Sequence, residues 1–265
     1  MKRERAIMSN KTIGFVGGGR IVRIFLEGWT RAKELPASIT VSDPNAELLA
    51  KLKGRFPFVA SSADDGAAAA KDIVFLAVHP PVVADVAGQI KASLRPDALL
   101  VSLAPKFTLA KLTGLLGGFT RLARVIPNAP SVVGAGFNPV AFAPGLAAGD
   151  RAEVMALLAT LGDCPEVAEE KLEAYAVLTA MGPTYFWFQL HALREVAAGF
   201  GLSDAEIVPA MKRMACGATR TLLESGLAPG EVMDLIPVKP LAEMEPQVAG
   251  MYRTCLPAIY EKIKP

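Results

Sequence analysis

Three consecutive glycines, Gly17 to Gly19, stand between an apolar run and a helix-like pattern that begins at Arg20. A glycine turn in this position lets the backbone approach a pyrophosphate and points the amides of a helix N-terminus at the anion. The stretch "TIGFVGGGRIVRIF" therefore predicts a dinucleotide-binding turn, and with it the hydride chemistry of a nicotinamide. The alternative is a glycine turn that only joins a strand to a helix.

Two charged residues near this turn bear on which dinucleotide it would bind. Asp43 ends the second strand pattern, where its carboxylate could accept a hydrogen bond from a ribose hydroxyl and repel a 2′-phosphate, which favours NAD. Its alternative role is the N-cap of a helix before Pro44. Arg20 could direct its planar donor fork at a phosphate, or it could be a solvated residue of the first helical turn. Both residues are candidates for the cofactor site.

The surrounding pattern predicts the fold that positions these residues. Strand patterns apolar on both faces alternate with helices of about ten residues, which indicates a parallel sheet covered on both sides. The predicted strands are "TIGFVGG", "SITVSD", "DIVFLAVHP", "ALLVSLAP" and "RLARVIPNAP". We predict an α/β fold with a Rossmann-type doubly wound parallel sheet, followed by an all-helical part in which Ser203 and Glu206 form a capping box. The predicted organisation is an N-terminal tail over residues 1–11, a Rossmann dinucleotide-binding domain over 12–164 and a helical domain over 165–265, whose role in dimerisation and substrate binding is implied by the family resemblance described below.

Composition sets the broad class of protein. The chain has 265 residues, 52% of them hydrophobic and 20% charged, which suits a globular protein with a sizeable core. Its net charge of +2 gives no reason to expect nucleic acid or a membrane surface as a partner. No apolar run approaches the roughly 20 residues of a membrane-spanning helix. Three widely spaced cysteines argue against a disulfide framework or a metal site and favour the cytoplasm.

Five segments resemble, in the same order and spacing, the signature segments of pyrroline-5-carboxylate reductases. They are "IGFVGGGR", "DIVFLAVHPPVV", "LLVSLAP", "RVIPNAPSVVGAG" and "GPTYFWFQLHALREVAAGFGLSDAE". The resemblance implies a Rossmann domain followed by a helical dimerisation domain, assembled as a homodimer or a higher homo-oligomer. It also implies a small-molecule substrate, a cyclic imine that is reduced to proline with NADP or NAD as the cofactor, commonly NADPH.

The resemblance also implies roles for individual residues. Together with Asp43 and Arg20, the predicted cofactor site comprises Gly14, Gly17, Gly19, Ile21, Val78, His79, Pro80 and Asn128. Gly182, Pro183 and Tyr185 match the family's "G-P-A-Y" segment and would line the substrate pocket.

The chain departs from the family at several of these positions. Arg20 and Ile21 replace the usual Asn and Met, and His79 replaces a Lys. The family's "S-P-G-G-T-T" stretch, which provides a threonine to the imine, is replaced here by "LIPVKPLAEMEP". The candidate catalytic donors or anion partners are therefore Lys106, Thr184 and Lys239. For His79 a structural contact competes with a role as an acid, and for Lys239 an exposed loop cation competes with a carboxylate ligand.

We predict an NAD(P)H-dependent reductase of the pyrroline-5-carboxylate reductase type with an altered substrate loop. One alternative is a deazaflavin- or keto-specific NAD(P) oxidoreductase on the same scaffold. The other, suggested by the missing threonine loop, is a non-catalytic nucleotide-binding regulatory dimer.

Overall fold

The computed structural model describes residues 11–265. The predicted N-terminal tail, 1–11, therefore lies outside the described residues except for Lys11. Contacts divide the chain into two compact units. The first unit ends at Met181 and includes Ile259–Pro265, and the second unit is Gly182–Ala258.

The first unit is built on a seven-stranded sheet of order β3-β2-β1-β4-β5-β6-β8. The strands of the chain are β1 Thr12–Val16, β2 Ser38–Ser42, β3 Val59–Ser62, β4 Ile73–Leu76, β5 Leu99–Ser102, β6 Leu122–Val125, β7 Gly136–Phe137, β8 Val140–Phe142 and β9 Gly162–Asp163. All neighbouring strands of the large sheet are parallel except β8, which pairs antiparallel with β6. β7 and β9 form a separate parallel pair. The predicted doubly wound parallel sheet is confirmed, with one antiparallel strand at its edge.

Helices connect these strands and cover both faces of the sheet. The helices of the first unit are α1 Arg20–Ala32, α2 Ala46–Arg55, α3 Asp65–Ala69, α4 Val83–Ile90, α5 Leu109–Leu115, α6 Ala148–Ala159 and α7 Leu172–Tyr175. Short 3-10 helices span Pro80–Val82, Ala129–Val133 and Glu169–Lys171, and a π-helical turn spans Ala176–Ala180.

Alternate residues of the central strands enter two separate cores. Phe15 and Phe75 stack with ring centroids 4.8 Å apart and pack with Phe25 and Trp29 of α1 in one core. The indole of Trp29 donates a hydrogen bond to the Leu157 carbonyl at 3.1 Å, so its one polar atom is satisfied in the interior. The other core lies on the opposite face, against α3, α4 and α5. This two-sided burial explains why the strands read as continuous apolar runs.

The boundary between the two units differs from the predicted domain boundary at 164/165. Leu172 and Ala176 are buried in a core of the first unit, and the Glu173 carboxylate pairs with Arg124 of β6. Because these contacts tie residues 165–181 to the sheet, the contact division falls after Met181.

The second unit is helical throughout. Its helices are α8 Gly182–Gly199, α9 Asp204–Glu224, α10 Pro229–Asp234, a 3-10 turn Ala242–Met244 and α11 Glu245–Ile263, whose last residues belong to the first unit. The predicted capping box is present at the start of α9, where Ser203 N–H donates to Glu206 Oε2 at 2.9 Å. Ile207 of α9 is buried, whereas most side chains of this unit are exposed.

Asp72 joins the starts of β1 and β4 and makes stability depend on pH. Its Oδ2 accepts from the Thr12 N–H at 2.8 Å and the Thr12 hydroxyl at 2.7 Å, and its Oδ1 accepts from Arg95 at 2.8 Å. Burial alone would raise the pKa of Asp72, but the Thr12 hydrogen bonds and the Arg95 charge together outweigh it and hold the pKa below its ordinary value. The stabilisation is therefore complete above the unfolded pKa of about 3.9 and is lost as pH falls through the lower folded pKa.

We expect Asp72→Asn to lower the free energy of unfolding at pH 7 by about 1–2 kcal/mol. The difference from wild type should shrink below about pH 4, where the wild-type carboxylate also becomes protonated. Urea unfolding from pH 7 down to pH 3 measures it, with the exposed Glu34→Gln as the control. A difference that stays constant across this range would show that the Asp72 charge contributes nothing.

Candidate nucleotide-binding site

The turn after β1 needs glycine at its first position. Gly17 has φ +98, in the left-handed region, and a Cβ there would lie 2.8 Å from the Ala77 carbonyl oxygen. Its N–H donates to the Ser42 carbonyl at 2.8 Å and so ties the turn to the end of β2. Any larger residue at this position would strain the turn or displace the segment after β4.

The two following glycines, Gly18 and Gly19, carry no side chain that would cover the N-terminus of α1. A Cβ on Gly18 would lie 2.6 Å from a methyl of Leu48, whereas a Cβ on Gly19 would meet no atom within 4 Å. Gly19 is the N-cap of α1, no side chain caps this end, and the first helical turn contains no acidic residue. The amides of a 13-residue helix therefore face open space with the positive end of the helix dipole behind them. This backbone cradle fits the pyrophosphate of a dinucleotide.

Asp43 fixes the conformation of the turn. Its Oδ2 accepts from the Gly18 N–H at 2.9 Å, and its Oδ1 accepts from the Asn45 N–H at 2.8 Å. The alternative interpretation of Asp43 as a helix N-cap is wrong, because Asn45 caps α2 by accepting from the Leu48 N–H at 3.0 Å. The carboxylate is thus held by two backbone donors of its own chain.

A pocket of about 420 Å³ lies between the start of α1 and the length of α2. It is lined by Gly18, Gly19, Arg20, Arg23, Asn45, Glu47, Leu48, Lys51, Leu52, Arg55 and Phe56. Of the predicted cofactor residues, Gly19 and Arg20 line it, and Asp43 does not. Arg23, Lys51 and Arg55 also line it and were not among the predicted residues. The spacing of basic residues by three or four positions on each helix is the pattern that could have indicated them.

Several other predicted cofactor residues do not line this pocket. Gly14 lies inside β1, where a Cβ would overlap the Ala68 carbonyl, so close packing of α3 requires this glycine. Ile21 is half-buried and packs against the core beneath α1. Val78 approaches the turn, because its Cγ1 would lie 3.0 Å from a Cβ on Gly17. His79 is exposed and precedes the 3-10 helix that begins at Pro80.

Asn128, after β6, is engaged within the protein. Its Nδ2 donates to the Thr179 carbonyl and its Oδ1 accepts from the Phe137 N–H, both at 3.1 Å. Its own N–H donates to Asn138 Oδ1 at 3.1 Å. These bonds join the turn after β6 to β7 and to the π-helical turn. The geometry gives Asn128 a structural role, and contact with a cofactor stays a prediction.

Lys106 lies in the loop after β5, and a buried ion network holds this loop. Lys106 has φ +73, and its N–H donates to Glu173 Oε1 at 3.1 Å. Arg124 on β6 is 1% exposed and pairs with Glu173, which is also 1% exposed, and with Glu169 at 2.9 Å. Glu169 accepts from the Leu109 N–H at 2.6 Å, at the start of α5. The Lys106 side chain is exposed at the loop surface.

The predicted substrate-pocket residues all lie in the second unit. Gly182 is buried at the start of α8, and Pro183 follows it. Thr184 and Tyr185 line an apolar cavity of about 570 Å³ together with residues of α11. Tyr185 stacks edge-on with Tyr252 at 5.7 Å, and burial, followed by that neighbouring phenol, raises the pKa of Tyr185. Lys239 is exposed in the loop that follows α10 and does not line this cavity.

Two other kinds of feature are absent from residues 11–265. No helix in that range is long and apolar enough to cross a membrane. Within the same range, no cluster of histidine, cysteine or carboxylate side chains could hold a metal ion.

The fold and the turn define a class of protein. A sheet of order 3-2-1-4-5-6 with a glycine turn after its first strand is the Rossmann arrangement, in which a dinucleotide binds at the carboxyl ends of the strands. The family model described as "NADP oxidoreductase coenzyme F420-dependent" matches residues 12–106, which contain this turn.

Comparisons with full-length proteins identify the family. The chain is 30% identical over 234 residues to pyrroline-5-carboxylate reductase of Mycobacterium tuberculosis, covering 84% of this chain and 79% of that protein. It is 29% identical over 227 residues to the Escherichia coli pyrroline-5-carboxylate reductase, covering 85% and 84%. The chain therefore belongs to the pyrroline-5-carboxylate reductase family. This confirms the predicted family and its class, NAD(P)-dependent oxidoreductases.

Solved structures agree on the fold. A Plasmodium falciparum pyrroline carboxylate reductase with NADP bound superposes with a TM-score of 0.81 at 21% identity, covering 97% of this chain and 98% of that one. A pyrroline-5-carboxylate reductase from Coxiella burnetii gives a TM-score of 0.65 at 26% identity, covering 97% and 94%. The arrangement of a Rossmann-type domain followed by helices is common to them.

Proposed function

We propose that this protein reduces the C=N bond of a small cyclic imine carboxylate, of the pyrroline-5-carboxylate type, to a cyclic amine. The observation that carries the proposal is 29–30% identity to two pyrroline-5-carboxylate reductases along about four fifths of each chain. NAD(P)H supplies the hydride when it is bound. The glycine turn and the open amides of α1 bind the pyrophosphate and leave the carboxyl edge of the sheet for the reacting groups.

Among the three candidate donors, the sheet favours Lys106. β1, β4 and β5 are parallel neighbours, so the glycine turn, the Val78 segment and the Lys106 loop all follow carboxyl ends at one edge of the sheet. Lys106 carries an exposed ammonium there, on a loop held by Glu173. Such a cation could bind the substrate carboxylate or donate a proton to the developing amine. Thr184 and Lys239 remain candidates from the second unit.

Steady-state oxidation of NADPH and NADH in the presence of pyrroline-5-carboxylate tests both proposals. We expect turnover by the wild type and a fall in kcat/KM of about 10-fold or more in Lys106→Met. Lys91→Met removes an exposed lysine elsewhere in the first unit and should leave turnover unchanged. Cofactor binding without turnover would contradict the reductase proposal and support the non-catalytic dimer. Normal turnover by Lys106→Met would remove Lys106 from the site.

A second candidate is a reductase that exchanges hydride between NADP and a deazaflavin. The family model whose description names coenzyme F420 supports it, but that match ends at residue 106. The replacement of the family's threonine loop by "LIPVKPLAEMEP" also supports a substrate other than the imine. The related alternative is a keto-specific oxidoreductase on the same scaffold. Adding a deazaflavin or a small keto acid to the same assay without the imine tests both, because the imine reductase should then show no turnover.

We also propose that the protein is a homodimer or a higher homo-oligomer joined through the second unit. Large apolar side chains are exposed along α8, α9 and α11, in the turn between α8 and α9, and in the loop between α10 and α11. They include Trp187, Phe188, Phe200, Leu223, Ile236, Val238 and Leu241, of which Phe200 is 80% exposed. Apolar surface of this extent on a helical unit is typical of a subunit interface.

The double variant Phe200→Asp/Leu223→Asp should dissociate the oligomer, because it places two charges among exposed apolar side chains. Light scattering measures the mass, and we expect at least twice the 27.9 kDa chain mass for the wild type and the chain mass for the variant. Phe58→Asp, at an apolar side chain exposed on the first unit, is the control and should leave the oligomer intact. A monomeric wild type would contradict the proposal.

For the compartment we propose the cytoplasm. Its support is that Cys164, Cys216 and Cys255 are all free thiols. Burial raises the pKa of Cys164 to about 11, so this thiol stays protonated and unreactive at neutral pH.

A further inference from the structure

We propose that Arg20 and Arg23 hold the 2′-phosphate of NADP in the pocket beside the glycine turn, so that the protein prefers NADP to NAD. The inference rests on the proposed function only in taking a nicotinamide dinucleotide as the cofactor. It reverses the preference for NAD that Asp43 predicts from the sequence.

The pocket carries an excess of positive charge. Two of its four basic side chains are already neutralised, because Lys51 pairs with Glu47 at 2.7 Å and Arg55 pairs with Glu27. Among residues 11–265, no carboxylate forms an ion pair with Arg20 or Arg23. The pocket therefore has two arginines whose charges are not balanced by an ion pair.

The side chains of Arg20 and Arg23 line the pocket beside the glycine turn. Arg20 and Arg23 are three positions apart on α1, so they lie on one face of the helix, and both are exposed. They line the same pocket as Gly18 and Gly19, next to the amides that fit the pyrophosphate. An arginine fork binds phosphate oxygens through two parallel hydrogen bonds, and two forks on one helix face suit a doubly charged group.

Asp43, the residue expected from the sequence to repel a 2′-phosphate, is directed to the glycine turn. Asp43 does not line the pocket, and each of its carboxylate oxygens accepts a backbone N–H, from Gly18 and Asn45. Both carboxylate oxygens are therefore engaged by the backbone of the turn. Asp43 thus shapes the glycine turn, and the arginines dominate the charge that a ligand in the pocket meets.

Binding of two nucleotide fragments tests this inference without any turnover. Adenosine 2′,5′-bisphosphate and adenosine 5′-monophosphate differ only in the 2′-phosphate, and isothermal titration calorimetry gives Kd for each. For the wild type we expect the bisphosphate to bind about 10-fold tighter or more, because a hydrogen bond between charged groups contributes at least that much to the affinity. This preference should be lost in Arg20→Gln/Arg23→Gln and should weaken with added salt. Lys53→Gln/Lys91→Gln removes the same charge from exposed sites outside the pocket and should keep the preference.

The outcomes separate this inference from the proposed function. Equal binding of the two fragments by the wild type, tighter binding of the monophosphate, or a preference that survives in Arg20→Gln/Arg23→Gln would overturn the inference, and the reductase proposal would stand. The expected preference in a protein that does not reduce the imine would support the inference and contradict the reductase proposal. Failure of both fragments to bind at millimolar concentration would overturn the inference together with the nucleotide site.

Discussion

Replacing Glu173 with alanine should lower the free energy of unfolding by about 3–5 kcal/mol, because it leaves Arg124 buried without its main counter-charge. Both side chains are 1% exposed, so water cannot replace the lost partner. Glu173 also accepts the Lys106 N–H, and Lys106 has an unfavourable backbone conformation with φ +73. The change should therefore destabilise both the contact between β6 and α7 and the loop after β5.

Urea unfolding followed by tryptophan fluorescence measures this loss, because Trp29 is fully buried. Glu170→Ala, at an exposed residue of the 3-10 helix that precedes α7, is the control and should cost less than about 1 kcal/mol. The double variant Arg124→Met/Glu173→Leu should be more stable than Glu173→Ala, because it removes both charges and fills their volume. A loss below about 1 kcal/mol for Glu173→Ala would show that Glu169 alone satisfies Arg124.

Gly19→Val should weaken dinucleotide binding at least about 100-fold, roughly 3 kcal/mol, while leaving the protein folded. Gly19 has an ordinary φ of −68, and a Cβ there would meet no protein atom within 4 Å, so the fold tolerates a side chain. That open space is where an anion would reach the amides of α1, and a valine would fill it.

Fluorescence titration with NADPH and NADH, beside a thermal unfolding curve, measures both halves of this prediction. Gly88→Val is the matched control, since Gly88 lies in α4, where a Cβ would also meet no atom within 4 Å. Unchanged affinity in Gly19→Val would place the pyrophosphate elsewhere. Lost affinity together with a collapsed unfolding temperature would instead mean that Gly19 is needed for the fold.

The sequence predicted those features of the fold and site that depend on neighbours along the chain. The glycine turn, the parallel strands and the Ser203 capping box each arise from a local pattern and are present. The sequence does not predict β3, because its residues after Val59 are small or polar and form no apolar run. It does not predict β7, β8 and β9 either, because two or three residues give no periodicity. The cap of α2 was placed at Asp43 in one interpretation because two polar residues flank Pro44, and only the hydrogen bonds show that Asn45 caps it.

The remaining features depend on contacts between distant parts of the chain. Arg124 is an unusual residue for a buried strand, and nothing near it in sequence indicates Glu173 as its partner. The basic residues of α1 and α2 form one pocket only when the two helices are placed side by side. The interface that we propose on the second unit depends on which apolar side chains the folded helices leave exposed, and a single sequence does not show this.

The reaction proposed for this chain moves a hydride from a nicotinamide to the carbon of an imine. Mass spectrometry of the product formed from pyrroline-5-carboxylate and NADPH deuterated at the transferred position tests it most directly. We expect proline one mass unit heavier than the product made with ordinary NADPH, formed at the same rate as the cofactor is oxidised. Cofactor oxidation that yields unlabelled proline or no proline would contradict it.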